Sequence, residues 1–441
     1  MNDRFFKLQA HNSSVKTEVI AGCTTFLATM YIIVVNPGIL RETGMPFSGV
    51  LTATVLVSAF SSIAMGLYAN NPIVLAPGMG INAFFAYSVV LGMGVSWQTA
   101  LGAVFWSGII FIVLSVFNVR TAIVRAIPKQ LRYAIASGIG LFIATIGFMN
   151  AHFIVSNPAT VIGLGELNAM TITFLIGLAI MAILVALRVR GALILGIAFT
   201  TILAIPIGRL WGDASSISPT GVTTLVTWQG LFSAPNFSVF FQLDFIGSLK
   251  LAMWPVIFAF LFTDMFDSLS TFIGVAEAAD LLDQDGEPRH IKQSLIVDGV
   301  STTISGLFGT SSGTSYIESA TGIEEGGRTG LTAVVAGLLF IPFMFFSPLL
   351  AIVPSIATAP ALVLVGVFMM KPVQKINWGE MDDAIPALLA LILIPLTYSI
   401  TQGIIWGFLS WTAIKLVTGK TGEISITLIF IDLFAILALV V

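Results

Sequence analysis

Charge is scarce in this sequence. Only 9% of its 441 residues are Asp, Glu, Lys or Arg, against about a quarter in an ordinary soluble domain, and that shortage excludes a soluble globular fold. Cysteine is all but missing: Cys23 stands alone, so no intrachain disulfide can form. Three histidines without paired His or Cys spacing supply no metal donor set, and neither a metal nor any other cofactor is expected. An excess of basic charge is absent too. A net charge of −3 gives no footprint for nucleic acid. The first eighteen residues also lack the basic, apolar and small-residue order of a cleavable signal, so a retained N-terminus is expected.

What is present is apolar: 57% of residues are hydrophobic and the mean hydropathy is +1.00. Continuous runs such as 169–187 are long enough, at 1.5 Å per residue, to cross a ~30 Å hydrocarbon core. They lack the roughly ten-residue alternation of a membrane β-barrel. The chain therefore reads as an all-α polytopic membrane protein. Apolar segments fall near 19–35, 50–69, 79–93, 98–117, 133–150, 169–187 and 192–210, and again near 251–276, 294–308, 314–323, 329–346, 358–370, 384–400 and 403–417. A polar stretch free of Lys and Arg separates the two sets of seven. With a cytoplasmic N-terminus, every basic residue except Arg41, Arg209 and Lys250 falls on the inside, as the positive-inside rule requires. Both ends of the bundle are then cytoplasmic. The last stretch, 423–441, is short and carries Asp432 in its middle, so it reads as a surface helix and not a fifteenth span.

The halves resemble each other at a spacing of about 230 residues. Gln98-Thr-Ala-Leu-Gly-Ala-Val104 matches Arg328-Thr-Gly-Leu-Thr-Ala-Val334 at four of seven positions, and Phe26-Leu-Ala-Thr29 matches Phe260-Leu-Phe-Thr263 at three of four. Seven spans per copy is odd, so the second copy enters from the opposite side and the topology is inverted. Each half carries a broken segment, Ala76-Pro-Gly-Met-Gly-Ile-Asn-Ala83 and Gly309-Thr-Ser-Ser-Gly-Thr-Ser-Tyr316. Unpaired backbone of this kind is tolerable in a membrane only where it lines a cavity or is buried in protein. Paired interruptions point to a transporter's binding site.

Four acids lie in or beside the second set of spans: Asp264 and Asp267, three residues apart on one helical face, with Asp298 and Glu318. A mid-membrane Asp costs roughly 2.5–3.5 kcal/mol on insertion scales, and no Lys or Arg lies in these spans to offset it. Asp298, near the end of a short span, reads equally as an interfacial cap. Desolvation favours the neutral acid, which makes Glu318, then Asp264, then Asp298 candidates to carry a proton. Ionised, the same groups accept hydrogen bonds from N–H donors and repel anions, which suits a planar heterocycle. Phe84, Phe85, Tyr87 and Phe262 could stack on such a ring, and Asn82 could both donate and accept.

Three other motifs fail on context. Gly78-x-Gly80-x-x-Ala83 lies inside a hydrophobic span without a βαβ unit. Gly419-Lys420-Thr421 has Ile414 where a P-loop needs its first glycine. The acidic loop with Asp280, Asp283, Asp285 and Glu287 lacks calcium-loop spacing. No enzyme constellation is present.

The motifs Thr24-Thr25-Phe26-Leu27 with Asn36-Pro37, 76–83, Thr263-Asp264-Met265-Phe266-Asp267-Ser268 and Thr314-Ser315-Tyr316-Ile317-Glu318-Ser319-Ala320, followed by 324–330, resemble the nucleobase-cation symporter family, specifically its AzgA-like branch of adenine, guanine and hypoxanthine permeases. The resemblance covers nearly the whole chain. It implies fourteen spans in a 7+7 inverted repeat, with short strands in spans 3 and 10. The expected layout is a cytoplasmic segment (1–18), a core domain (19–117 and 249–346), a gate domain (118–210 and 347–418), an extracytoplasmic connection (211–248) and a C-terminal segment (419–441). By the same analogy Asp264 and Glu318 hold the substrate, with Asp267 and Asn82 supporting. The implied activity is proton-coupled import of purine bases across the inner membrane, hypoxanthine and guanine favoured and adenine open to it, with a homodimer through the gate domains as an available assembly. The competing reading is an anion transporter or channel on the same architecture.

Overall fold

The structure is a computed structural model that describes residues 6–117, 127–212, 224–279, 281 and 288–440. The acidic loop positions Asp280, Asp283, Asp285 and Glu287 lie outside the described residues, as do Arg120 and Arg125. In chain order the helices are α1 (Val15–Thr29), α2 (Ile32–Arg41), α3 (Phe47–Ala64), α4 (Met79–Ala83), α5 (Trp97–Val116), α6 (Lys129–Asn150), α7 (Ala169–Ala186) and α8 (Ala192–Ala204). They continue with α9 (Trp254–Ala279), α10 (Ile291–Phe308), α11 (Ala320–Glu324), α12 (Gly330–Phe340), α13 (Ser355–Met369), α14 (Met381–Thr397), α15 (Ile400–Val417) and α16 (Ile426–Val440). Among the described residues, eight helical stretches are long and apolar enough to cross a membrane.

Where helices are uninterrupted, their positions follow the apolar runs closely. The exceptions have local causes. α8 stops at Ala204 and not near 210, because Pro206 follows and Arg209 turns back to donate to the carbonyls of Ile205 (2.7 Å) and Val226 (2.5 Å). The segment after α4 widens into a π-helical run, Phe84–Gly92. Segment 314–323 divides into a strand, a 3-10 turn (Ile317–Ser319) and α11. α5 begins behind Ser96 and α12 behind Thr329, a spacing of 233, so the four-of-seven repeat match sits one helical turn out of register with the helix starts.

The two interrupted segments pair with each other. β1 (Leu75–Pro77) and β4 (Gly313–Ser315) form an antiparallel ribbon with Leu75 opposite Ser315, Ala76 opposite Thr314 and Pro77 opposite Gly313. It is extended by Tyr316 N–H to the Val74 carbonyl and Gly78 N–H to the Ser312 carbonyl, both 3.0 Å. All six strand residues are buried. A second hairpin, β2 (Ile154–Asn157) with β3 (Val161–Leu164), projects between α6 and α7; the sequence reading did not anticipate it.

Two sets of helices pack mainly among themselves. In the first, α1 and α3 lie on α12, and α5 lies on α9 and α10. In the second, α6 lies on α13 and α14, α14 on α15, and α7 and α8 on α13. Two buried charges tie elements together. Glu18, fully buried in the first turn of α1, accepts from the backbone N–H of Arg328 (3.0 Å) and Thr329 (3.3 Å) and from the Thr332 hydroxyl (2.5 Å), so it serves the start of α12. Lys415 pairs with Asp382 (2.6 Å) and Glu423 (2.9 Å), while Lys420 pairs with the same Asp382 (2.7 Å). α16, fifteen residues long, rests on α15, where the Thr412 hydroxyl donates to Asp432 at 2.6 Å.

Close approach without side chains lets α12 meet the end of α3. A Cβ on Gly66 would lie 2.2 Å from the Gly330 carbonyl oxygen, and one on Gly330 would lie 2.0 Å from the Gly66 oxygen. Since both obstacles are backbone, neither can turn aside. Gly66→Ala and Gly330→Ala are each expected to destabilise the purified protein by about 1–3 kcal/mol, read as a lowered melting temperature. Gly38→Ala, with nothing near its Cβ, should not lower it.

Candidate substrate site

Beside the strand pair lies a cavity of about 490 Å³ between the two helix sets. Its inner wall is built from Asp267 and Phe266 on α9, Thr314 on β4, Tyr316 and Glu318 just beyond it, and Tyr31 at the break between α1 and α2. The Tyr31 hydroxyl donates to Glu318 Oε1 at 2.8 Å. The Tyr316 hydroxyl donates to the Pro77 carbonyl at 2.6 Å, which ties the wall to β1. The two tyrosine rings are 6.4 Å apart, tilted by 47°. This arrangement presents two carboxyl groups and aromatic faces in one cavity, chemistry suited to a flat ligand with N–H donors.

Of the acids nominated by the sequence, Asp267 and Glu318 line the cavity. Asp264 lies one turn away on α9 and does not line it; its Oδ2 accepts from the Thr302 hydroxyl on α10, and the Thr314 hydroxyl of β4 also lies beside the carboxyl group. Asp298 is fully buried at the eighth residue of α10, beside the Ser268 hydroxyl of α9. The interfacial-cap reading of Asp298 is therefore set aside: it sits inside a helix, within electrostatic range of Asp264 and Asp267.

The expected supporting groups fall elsewhere. Asn82 is buried and accepts from the Ser311 hydroxyl, so it bridges the two broken segments and does not face the cavity. Phe84 and Phe85 pack against Phe260, at 4.9 and 6.4 Å between ring centroids, and do not line the cavity. Phe262 is the middle of a column Phe258–Phe262–Phe266, spaced by about one turn and stacked at 6.1 and 6.0 Å; only Phe266 reaches the wall. The residues missed are Tyr31 and Tyr316. Tyr316 sits inside the quoted motif, and the chain has six tyrosines against thirty-four phenylalanines, so a polar-tipped ring between apolar runs was the available signal.

The cavity is asymmetric. It extends toward Lys129 and Arg132 at the start of α6. At the other end of that helix, about 33 Å away, Asn150 Nδ2 donates to the Tyr87 hydroxyl at 3.1 Å, and the Ser88 hydroxyl donates to the carbonyl of Tyr398. Tyr398 ends α14 with a left-handed φ of 53° and packs edge-on against Phe142.

An acid-lined cavity between two packed helix sets, in a chain with eight described helical stretches able to cross a membrane, belongs to a multi-pass membrane carrier and not an enzyme. The fold is shared with the transmembrane domain of a cyanobacterium bicarbonate transporter, BicA, at a TM-score of 0.65 and 17% identity over 88% of this chain and 97% of that one. It is shared also with SLC26A9, at 0.62 and 12% over 92% of this chain and 66% of that one. Residues 16–405 match the Permease family of xanthine and uracil permeases, and the chain belongs to that family. It is 43% identical to adenine permease AdeP of Escherichia coli (strain K12), covering 100% of this chain and 96% of that protein. It is 41% identical to guanine/hypoxanthine permease PbuO of Bacillus subtilis (strain 168), covering 98% and 99%.

The Tyr31 and Tyr316 hydroxyls separate site from scaffold. Tyr31→Phe keeps the ring but removes the donor to Glu318; a hydrogen bond to a charged group is worth about 1.5–3 kcal/mol, so a tenfold or larger fall in substrate uptake is expected with protein level unchanged. Tyr316→Phe leaves the Pro77 carbonyl unpaired and should register first as a lower melting temperature.

Proposed function

We propose that this permease imports purine nucleobases across the cytoplasmic membrane together with protons, by alternating access. The observation that carries the reading is the cavity wall: Asp267 and Glu318 beside Tyr31, Tyr316 and Phe266. Neutral purines offer N–H donors and a flat face; anions would meet two carboxyl groups. The relatives whose names specify adenine or guanine and hypoxanthine support the same class. Guanine and hypoxanthine are the favoured bases, with adenine as the competing one.

In this reading the chain crosses the membrane fourteen times as a 7+7 inverted repeat. The set containing α1, α3, α5, α9, α10 and α12 is a core that carries the base past a gate formed by α6–α8 and α13–α15. The N-terminus and the Lys129 end of α6 face the cytoplasm, so the cavity opens inward, and the Tyr87–Asn150 and Ser88–Tyr398 contacts form the outer closure. Glu318 is the first choice of proton carrier because it shares the cavity with substrate. Asp264 and Asp298 stand behind it, where they can exchange the charge without touching the base.

Labelled hypoxanthine, guanine and adenine uptake in permease-deficient cells, with competition by each purine and by uracil, tests the reading. Purine competition is expected. Sulfate or bicarbonate uptake by proteoliposomes without purine uptake would replace it with the anion carrier that the fold likeness brings to mind. Glu318→Gln and Asp264→Asn should each reduce uptake more than tenfold while the protein still reaches the membrane. Asp267→Asn should do so as well, given its place in the wall.

Coupling has a separate signature. Because desolvation favours a protonated carboxyl, uptake should rise as external pH falls from about 8 toward 6. A protonophore should collapse accumulation but leave base exchange largely intact, since exchange moves no net proton. Uptake indifferent to both pH and protonophore would reduce the acids to a binding role.

A further inference from the structure

The lining of the cavity differs in sign between the two helix sets. Asp267 and Glu318 come from the first set, whereas the second contributes four cations: Lys129 and Arg132 in the first turn of α6, and Lys371 and Lys375 in the 3-10 turn Lys371–Lys375 that follows α13. None of the four forms an ion pair among the described residues; the ion pairs there involve Arg190, Lys415 and Lys420. The Lys375 ammonium lies 5.9 Å from the centre of the Tyr133 ring, itself part of the lining. Arg132 Nε is buried without a hydrogen-bond partner. α6 starts behind Pro128 with no side-chain cap, which adds the partial positive charge of a 22-residue helix to the same place.

Membrane topology alone puts basic residues on this face. It does not make them converge on one cavity. Nor does a bare purine need the whole of it: the volume lies in the range of pockets that take larger ligands, roughly 300–1,000 Å³.

We propose that the cavity mouth is a phosphate-binding subsite continuous with the base site, so that a purine nucleoside monophosphate binds from the cytoplasmic face and inhibits transport. The proposal rests on the purine reading above. The base sits at the wall formed by Asp267, Glu318 and the tyrosines, and the phosphate, carrying close to two negative charges near pH 7, lies among Lys129, Arg132, Lys371 and Lys375. Arg132 can meet phosphate oxygens through two parallel N–H donors. Such a ligand spans both helix sets, since the acids belong to α9 and the segment after β4 while the cations belong to α6 and the turn after α13. Bridging them holds the sets in one relative position. The inhibitor is then the product of a reaction that attaches a phosphorylated sugar to the carried base, and import slows as that product accumulates.

The test uses the purified full chain in phosphatidylcholine nanodiscs and displacement of whichever labelled base the cells take up best, with guanine, guanosine and guanosine monophosphate, or the adenine series, as competitors. The monophosphate should displace the base at a concentration at least tenfold lower than the nucleoside. In the Lys371→Gln/Lys375→Gln double variant, both changes at exposed positions, that advantage should vanish while affinity for the free base stays within twofold. Inside-out vesicles should be inhibited by the monophosphate, and right-side-out vesicles should not. Equal displacement by monophosphate and nucleoside overturns the proposal. If, in addition, phosphatidylglycerol nanodiscs shift the melting temperature of the parent protein but not of the double variant, the mouth holds a lipid headgroup. Absence of displacement by any purine removes the base reading, and this proposal with it.

Discussion

Inside a membrane every backbone N–H and C=O must find a partner within the protein, and here that constraint is met across the two halves of the chain. Neither 75–77 nor 313–315 could stay extended alone; each supplies the other's hydrogen bonds. Serine hydroxyls take up what the two-stranded ribbon leaves over. Ser62 accepts from Leu75 N–H (3.1 Å) and donates to its carbonyl (3.0 Å); Ser305 accepts from Gly313 N–H and Ser319 from Val74 N–H, both at 3.0 Å. With that ribbon fixed, Tyr316 and Glu318 leave its end at a defined angle toward Tyr31, and Thr314 faces α9 through a 2.8 Å contact with Ser268. The cavity wall is thus a by-product of solving the backbone problem.

The uninterrupted helices were legible because a membrane imposes one period and one length, so the limits of 97–116 or 169–186 differ from the apolar runs by a residue or two. The buried acids were legible for the converse reason: a carboxyl group in such a run has a large cost that needs an explanation. The β2–β3 hairpin was not. Its strands are four residues each, too short for alternation to stand out, and its turn depends on Asn157 Oδ1 accepting from Ala159 N–H at 2.9 Å. Glu18 escaped notice because its partners lie some 310 residues away in sequence, and no local pattern reports them.

Which residues face the cavity was the least legible level. Asp264 and Asp267 occupy similar positions on one face of α9, yet one turns to Thr302 and the other to the opening. Phenylalanines are so numerous that their number carries no information; Phe84 and Phe85 pack on Phe260. The same contacts that remove Asn82 and these rings from the cavity give its wall stiffness: Asn82 ties 76–83 to Ser311, on the loop leading into β4. Selectivity in such a site is governed by groups whose own positions are set by neighbours that never meet the ligand.

The clamp between Glu18 and the start of α12 bears on how the chain is made. Synthesis proceeds from the N-terminus, so α1 is made about three hundred residues before Arg328, Thr329 and Thr332 exist. Over that interval its carboxyl group lacks its three final donors and needs water or the polar headgroup region instead. β1 waits in the same way for β4. The first half can therefore insert but not finish, and the final settling of α1 and of 75–77 belongs to the moment when the second half arrives. A product ending after α8 would carry both an unserved acid and an open strand edge, since the partners of Glu18 and of β1 all lie beyond it.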